Sequence, residues 1–310
     1  MIRINKHYRN DTGKAGGYGM QKRVMESGQE HRVQLGVLGD PIAQSRSPLM
    51  HQAALDAAGI PGEYVAIHVT RERLGDVMRD IRVQGFRGVN VTIPHKVEVM
   101  NYLDELDEVA RRIGAVNTVV NEQGRLKGYN TDGVGYVRSL KEEAIAQLSG
   151  LKIMMLGAGG AARGVLDALV AEQPDTVYIV NRTVDKAASL AAEWNGAVKV
   201  EGYGMEDAER LVREVDVLIN TTSVGMYPAI DELPFPTEWI PEGIVVSDLI
   251  YNPLETRLLL ESKGRGCKTH GGLGMFIYQG AIAYEHWLGQ TPSIPHMREA
   301  LLQSLGNQAE

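Results

Sequence analysis

The sequence predicts an α/β fold of two domains, each a sheet covered by helices, and three observations carry that expectation. The chain has 310 residues and is 44% hydrophobic, long enough that two cores are expected rather than one. From Gln34 onward, short β-branched runs alternate with amphipathic helical stretches, the rhythm of strands joined by crossovers over a parallel sheet. The rhythm starts afresh after a polar junction at Ser149-Gly150, so the pattern falls into halves.

In the first half, strands are expected near 33–38, 63–69 and 87–92, with helices near 48–58, 71–84 and 96–113. Strands near 116–121 and 125–128 read as a hairpin about Gln123-Gly124, since glycine supplies the backbone freedom a tight turn needs. A helix near 133–147 leads to the junction. The second half gives strand 152–156, helix 160–171, strand 176–181, helix 184–194, and strands 197–201 and 216–220. Strand 244–249, helix 255–263, a short strand 267–269 and a long helix 274–287 follow. Residues 1–30 are polar and Gly-rich without apolar periodicity, and are expected to be an extension outside the fold.

Bulk properties exclude several classes of function. A net charge of −7 argues against nucleic-acid and acidic-membrane partners, which select strongly basic surfaces. No apolar run reaches bilayer length and the N-terminus lacks a secretory pattern, so a cytoplasmic protein is expected. The single cysteine, Cys267, excludes an internal disulfide and a cysteine-cluster metal site, and its plain reading is a small core residue. The histidines show no paired ligand spacing, so no metal is expected.

The glycine turn is the first chemical signal. Lys152-Ile-Met-Met-Leu156 is an apolar strand that runs into Gly157-Ala158-Gly159-Gly160-Ala161-Ala162, which opens a helix. This is the G-x-G-x-x-G/A fingerprint in its strand–turn–helix context, where the backbone approaches a pyrophosphate and the helix N-terminus offers free N–H groups. The next strand ends in Asn181-Arg182-Thr183, where an NAD-specific protein places an acid for the ribose 2′-hydroxyl. That acid is missing. Arg182, with Lys186 in the following helix, suits a 2′-phosphate instead, so a Rossmann domain taking NADP is predicted. A solvated cation is the plain alternative, although cations are disfavoured at helix N-termini unless an anion is near.

Four further segments set polar groups beyond strand ends: Gly39-Asp-Pro-Ile-Ala-Gln-Ser45-Arg-Ser47-Pro48-Leu-Met-His51, Gly88-Val-Asn90-Val-Thr92-Ile-Pro-His95-Lys96, Gly114-Ala-Val-Asn117-Thr118 and Gly128-Tyr-Asn-Thr-Asp132-Gly133. Taken singly, the serines read as a helix cap with one to spare and Lys96 as a solvated lysine. Together with GAGGAARG, NRT, NTTSVGM, YNP and GGLGMFIYQGA, these phrases resemble the shikimate dehydrogenase family, in the family's order, from about Gln34 to Gly289.

The resemblance implies NADPH-dependent reduction of 3-dehydroshikimate to shikimate, with Lys96 and Asp132 as the catalytic pair. It further implies that Ser45, Ser47 and Tyr251 hold the substrate carboxylate, and that Asn90, Thr92, Asn117 and Gln279 meet the ring hydroxyls and the reacting oxygen. On the cofactor side it matches Gly157, Ala158, Gly159, Gly160, Ala161, Asn181, Arg182, Thr183 and Lys186, with Leu249, Gly272 and Met275 near the nicotinamide. Hydride addition to a ketone leaves negative charge on oxygen, and Lys96 can supply the positive field, the proton, or both. His51 and His95 invite a catalytic reading through their titration range, but one flanks the lysine and the other sits on a helix it can simply pack. Two departures from the family pattern stand out: Gln52 where asparagine is usual, and Lys186 where many members carry arginine.

The expected arrangement is a substrate-binding domain over 31–130 plus 275–310 and an NADP-binding Rossmann domain over 131–274. The active site is then the cleft between them, and its opening and closing a step in turnover. Small molecules are the expected partners of a monomer or homodimer. An NAD-dependent quinate/shikimate dehydrogenase and a catalytically silent NADP-binding regulator are the rival readings. Arg182 speaks against the first and the intact Lys96 and Asp132 against the second.

Overall fold

In the computed structural model, which describes residues 32–194, 196 and 198–306, the chain builds two six-stranded sheets. The extension expected over 1–30 lies outside the described residues. In the first sheet, β1 (Val33–Gly39) pairs in parallel with both β2 (Gly62–His68) and β3 (Gly88–Val91). Leu35, Val37 and Leu38 are buried because helices cover both faces, the usual fate of a parallel strand. The crossovers are α1 (Ser47–Ala57) and α2 (Leu74–Val83).

The single helix expected over 96–113 is broken into a 3₁₀ turn at Glu98–Tyr102, the two-residue β4 (Glu105–Leu106) and α3 (Glu108–Ile113). Asp104 explains the break. Its backbone N–H donates to Leu126 O at 2.9 Å and its carboxylate accepts from the Leu126 N–H at 2.6 Å and from Arg82 at 2.7 Å. Asp107 then caps α3 by accepting from the Ala110 N–H at 2.8 Å, as a short acid side chain does at a helix start. The hairpin β5 (Thr118–Glu122) and β6 (Arg125–Tyr129) completes the sheet, antiparallel to β3, with β4 parallel to β6 at its edge. From there α4 (Asp132–Glu143) leads away to the second sheet.

The second sheet is wholly parallel: β7 (Lys152–Leu156), β8 (Thr176–Val180), β9 (Lys199–Tyr203), β10 (Val217–Asn220), β11 (Val245–Asp248) and β12 (Lys268–His270). Their spatial order, β12-β11-β10-β7-β8-β9, puts the first strand in the middle and winds the chain outward on both sides. This is the Rossmann order. The helices around it are α5 (Gly160–Ala171), α6 (Val184–Trp194), α7 (Ala208–Val212) and α8 (Arg257–Gly264); α7 was not expected from the sequence.

Two C-terminal helices, α9 (Gly272–Leu288) and α10 (Ile294–Gly306), return to the first sheet. Ile277, Ala281, Tyr284 and Trp287 of α9, with Met297 and Leu301 of α10, share one buried cluster with Leu35, Val37, Met50 and Leu55. Each large apolar side chain buried this way contributes about 1.5–3 kcal/mol. On the other side, Tyr136, Val137 and Leu140 of α4 are buried with Ile153 and Val177 of the second sheet and Val165 of α5. The backbones of α4 and α5 nearly touch: a Cβ on Gly133 would lie 1.9 Å from Gly164 O, so only glycine permits the crossing.

The two halves are also tied by contacts between α3 and α5 outside the cleft lining. Arg112 of α3 makes a two-pronged ion pair with Asp167 of α5, whose carboxylate also accepts from Trp194 Nε1 at 2.9 Å. In the opposite direction, Arg163 Nε of α5 donates to Ile113 O at the end of α3, at 3.2 Å.

Candidate active site

The carboxyl ends of β1 and β3 face those of β7 and β11 across a cleft of about 450 Å³, a size suited to small ligands. One wall carries Ser45, Ser47, Asn90, Thr92, Lys96, Asn117, Asp132 and Gln279; Ala161, Leu249, Tyr251, Gly272 and Met275 also line the cleft.

Lys96 stands in the turn after β3, held by the Val116 N–H donating to its carbonyl at 2.7 Å. Asp132 is the first residue of α4, where the helix N-terminus favours a carboxylate. Their side chains meet at 2.6 Å, Nζ to Oδ2. The lysine side chain is 31% exposed and the aspartate 17%, so the pair opens onto the cleft. The other Asp132 oxygen accepts from Asn117 Nδ2 at 2.8 Å. Asn117 is buried; its amide nitrogen also donates to Thr131 Oγ1 at 2.9 Å, and its oxygen accepts from the Thr131 N–H at 2.9 Å. Its polar atoms are therefore largely engaged within the protein.

Behind Asn90 lies a layer in which the sequence singled out His51 and Gln52 but not Tyr64. The Tyr64 hydroxyl donates to Asn90 Oδ1 at 2.7 Å, and Asn90 Nδ2 donates to Asn117 O and Thr118 Oγ1, each at 3.1 Å. Tyr64 stacks on His51 with ring centroids 4.4 Å apart. His51 is fully buried and burial drives its pKa down to about 3, so the ring is neutral and packs rather than titrates. His95 is likewise buried, its Nε2 against Val69 O at 2.6 Å. Gln52 acts in the same layer: its Oε1 accepts from the Tyr64 N–H at 3.3 Å, tying α1 to β2.

At the start of α1, Ser45 Oγ accepts from the Ser47 N–H at 3.4 Å, which leaves its hydroxyl proton free to donate. The helix begins at Ser47 with Pro48 in its first turn and no side-chain cap from Arg46. Arg46 instead donates to Ser304 O at 3.1 Å, clamping the end of α10 onto the serine turn. Tyr251 stacks on Phe276 at 4.9 Å, and burial pushes its phenol pKa up, with the Arg46 charge opposing.

On the dinucleotide side, Ala158, Gly159, Asn181, Arg182, Thr183 and Lys186 surround a depression of about 180 Å³. Arg182 and Lys186 are exposed and, among the described residues, neither forms an ion pair. Gly157 has φ +102°, and a Cβ there would come within 2.7 Å of Thr221 Oγ1. At Gly159 and Gly160 a Cβ would meet nothing within 4 Å, which leaves an open cradle over the N-terminus of α5. Free N–H groups, an open backbone surface and two unpaired cations fit a pyrophosphate and a 2′-phosphate. Among the described residues no group of three or more His, Cys, Asp or Glu side chains could hold a metal ion.

Comparison with known proteins gives the geometry its context. Residues 37–119 match the shikimate dehydrogenase substrate binding domain, 139–228 the shikimate / quinate 5-dehydrogenase family and 272–302 the shikimate 5′-dehydrogenase C-terminal domain. A shikimate dehydrogenase (NADP(+)) of Geobacillus kaustophilus is 46% identical over 271 residues, which is 87% of this chain and 98% of that one. The chain belongs to the shikimate dehydrogenase family.

Solved shikimate dehydrogenases share the whole architecture. The Thermus thermophilus enzyme, crystallised with NADP(H) and shikimate, is 40% identical, with a TM-score of 0.80 over 88% of this chain and all of the other. A quinate dehydrogenase from Corynebacterium glutamicum in complex with NAD is more distant, at 32% identity and a TM-score of 0.82, covering 88% and 99% of the two chains. In this member of the shikimate dehydrogenase family, sequence reasoning missed Tyr64 and Asp248. Tyr64 is one aromatic among many in an ordinary strand, and only the fold brings it under Asn90. Asp248 is fully buried at the end of β11, and the sequence gives no sign of that burial.

Proposed function

We propose that this chain reduces 3-dehydroshikimate reversibly to shikimate at the expense of NADPH, with Lys96 and Asp132 as the catalytic pair. The observation that carries the proposal is the 2.6 Å Lys96–Asp132 contact in a cleft shared by the serine turn and the nucleotide-binding edge. Bound NADPH supplies the hydride. Lys96 faces the ketone oxygen, where charge develops, and delivers the proton that completes the alcohol. Asp132 holds the ammonium in place and accepts from a ring hydroxyl. Ser45, Ser47 and Tyr251 take the carboxylate, and Asn90, Thr92 and Gln279 the hydroxyl face. Asn117, whose amide is given to Asp132 and Thr131, fixes the carboxylate's orientation at the edge of that face.

Arg182 and Lys186 take the 2′-phosphate, the Gly157–Gly160 turn the pyrophosphate, and Leu249, Gly272 and Met275 the nicotinamide side. The working division is a substrate-binding domain over 31–130 plus 275–310 and an NADP-binding domain over 131–274. We assign the enzyme to the cytoplasm on its single cysteine, which suits a reducing compartment, and take a monomer or homodimer as its state. Cell fractionation and analytical ultracentrifugation test those two assignments.

The deciding experiment follows absorbance at the nicotinamide band with purified protein, shikimate or quinate, and NADP or NAD. Rapid NADP reduction with shikimate, lost in Lys96→Ala, is expected. No turnover by the unaltered protein with any combination overturns the proposal.

A further inference from the structure

One carboxylate behind the cleft has no cationic partner. Asp248 ends β11 with its side chain fully buried, and among the described residues no Lys, Arg or His pairs with it. Its oxygens accept from the Ile250 N–H at 3.0 Å, the Thr256 hydroxyl at 2.8 Å and the Asn220 amide at 3.2 Å. The Thr256 oxygen itself accepts from the Leu259 N–H at 3.4 Å, so its own proton is free to point at Asp248. Burial pushes the Asp248 pKa up and these donors oppose it. A shell made of donors is the shell of a carboxylate rather than of a carboxylic acid. A negative charge is thereby fixed where solvent screens it least.

Its position matters because of what lies next to it. Leu249, the following residue, forms the cleft wall with Gly272 and Met275. The Gly272 N–H donates to Ile250 O at 3.1 Å, and a Cβ on Gly272 would lie 2.0 Å from Leu249 O. The first turn of α9 thus rests directly on the backbone that Asp248 holds. A ring that hands a hydride to a carbon over Lys96 must lie between that wall and the Lys96–Asp132 pair.

We infer that Asp248 biases the bound cofactor electrostatically: its fixed negative charge favours the oxidised, cationic nicotinamide over the neutral reduced ring, and so favours hydride delivery to the ketone. The inference rests on the dehydrogenase reading. In the step concerned, a C–H bond of the reduced ring breaks with both electrons, a C–H bond forms at the carbonyl carbon, and the ring gains one positive charge. Lys96 gives its proton to the oxygen. Asp248 touches neither reactant and takes no proton.

The test is binding. Calorimetric titration compares NADP⁺, NADPH and ADP-ribose 2′-phosphate, which lacks the nicotinamide, on the unaltered enzyme and on Asp248→Asn. NADP⁺ is expected to lose about tenfold in affinity relative to NADPH, the scale of one charge acting across about 10 Å of protein. The fragment is expected to bind unchanged. Equal weakening of all three ligands makes Asp248 a structural prop and overturns the inference, as does an unchanged ratio. Failure of the unaltered enzyme to bind any of them overturns the dehydrogenase reading instead. If Asp248→Asn does not fold, Thr256→Val takes its place: it removes a donor that holds the buried carboxylate ionised, so the NADP⁺ preference is expected to shrink while the fragment binds unchanged. An unchanged ratio overturns the inference.

Discussion

Lys96 and Asp132 are 36 residues apart in sequence and 2.6 Å apart on one wall of the cleft, and the two ends of that contact are held differently. The aspartate is fixed by Asn117 and by the start of α4, whereas among the described residues the lysine ammonium has Asp132 as its ion-pair partner. Lys96→Ala is therefore expected to lower kcat by about 10²–10⁴, the usual contribution of a positioned acid, while NADP affinity, set on the opposite wall, stays within about twofold. Steady-state kinetics with a parallel NADP titration decide this. A kcat within threefold of the unaltered enzyme would remove Lys96 from the chemistry.

Cofactor choice is expected to follow the two exposed cations at 182 and 186. Charge-assisted hydrogen bonds are worth about 1.5–3 kcal/mol each, so Arg182→Ala should raise the KM for NADP by about 10- to 100-fold and leave the KM for NAD nearly unchanged. Lys186→Arg is expected to sharpen the preference modestly, because the guanidinium fork meets a phosphate with two donors where the ammonium offers one point charge. The ratio of kcat/KM for the two cofactors reads both effects.

Much of this was legible because its signals are local. The strand at 152–156, the glycine turn and Arg182 sit within about thirty residues, and their spacing alone predicts the strand–turn–helix that the structure shows and the cradle proposed for a pyrophosphate and a 2′-phosphate. The contact beneath the substrate wall was not legible. Tyr64 reaches Asn90 only because β1 lies between β2 and β3, and nothing in a strand's alternation reports such a neighbour. The helix expected over 96–113 failed for a related reason: its periodicity is helical, but Asp104 is drawn out of line by the Leu126 backbone, a tertiary contact that overrides local preference. Asp167 and Asp248 look like ordinary helix and strand-end acids until their burial is known.

Acid stability is expected to fall earlier than carboxylate titration alone would dictate. His51 and His270 are buried, and burial lowers their pKa values from 6.5 to about 3 and about 4. Both folded-state values are depressed, so the unfolded chain binds these protons first. Stability is full above pH 6.5 and is lost as pH drops below it, to about 4 for His270 and about 3 for His51. Each ring contributes a slope of about 1.4 kcal/mol per pH unit within its window. Among the described residues neither ring nitrogen of His51 makes a well-formed hydrogen bond, although Asn90 lies close enough to oppose the downward shift slightly, so His51→Phe keeps the stack and removes the titration. Urea denaturation between pH 7 and 4.5 should show a shallower decline in that variant; an identical slope would exclude His51 as a source.

The interdomain tie offers the sharpest separation between stability and catalysis. Asp167 is 7% exposed, whereas Arg112, its partner from the other sheet, is 52% exposed. Deleting the arginine costs little by itself, but it leaves a buried carboxylate with Trp194 Nε1 as its remaining side-chain donor. Arg112→Ala is therefore expected to destabilise by about 1–3 kcal/mol, the penalty of an under-satisfied buried group. Replacing both partners, Arg112→Met with Asp167→Asn, should recover most of that loss, because no charge is left stranded and the amide oxygen still accepts from Trp194 Nε1. Catalysis should not recover with it. With the tie gone, the Arg163–Ile113 hydrogen bond is what links α3 to α5 among the described residues, so the wall carrying Lys96 is held less firmly against the nucleotide edge. The double variant is expected to match the unaltered enzyme in urea midpoint while its kcat falls several-fold, because small errors of placement between reacting groups are costly. Equal recovery of both quantities would confine the ion pair to stability alone.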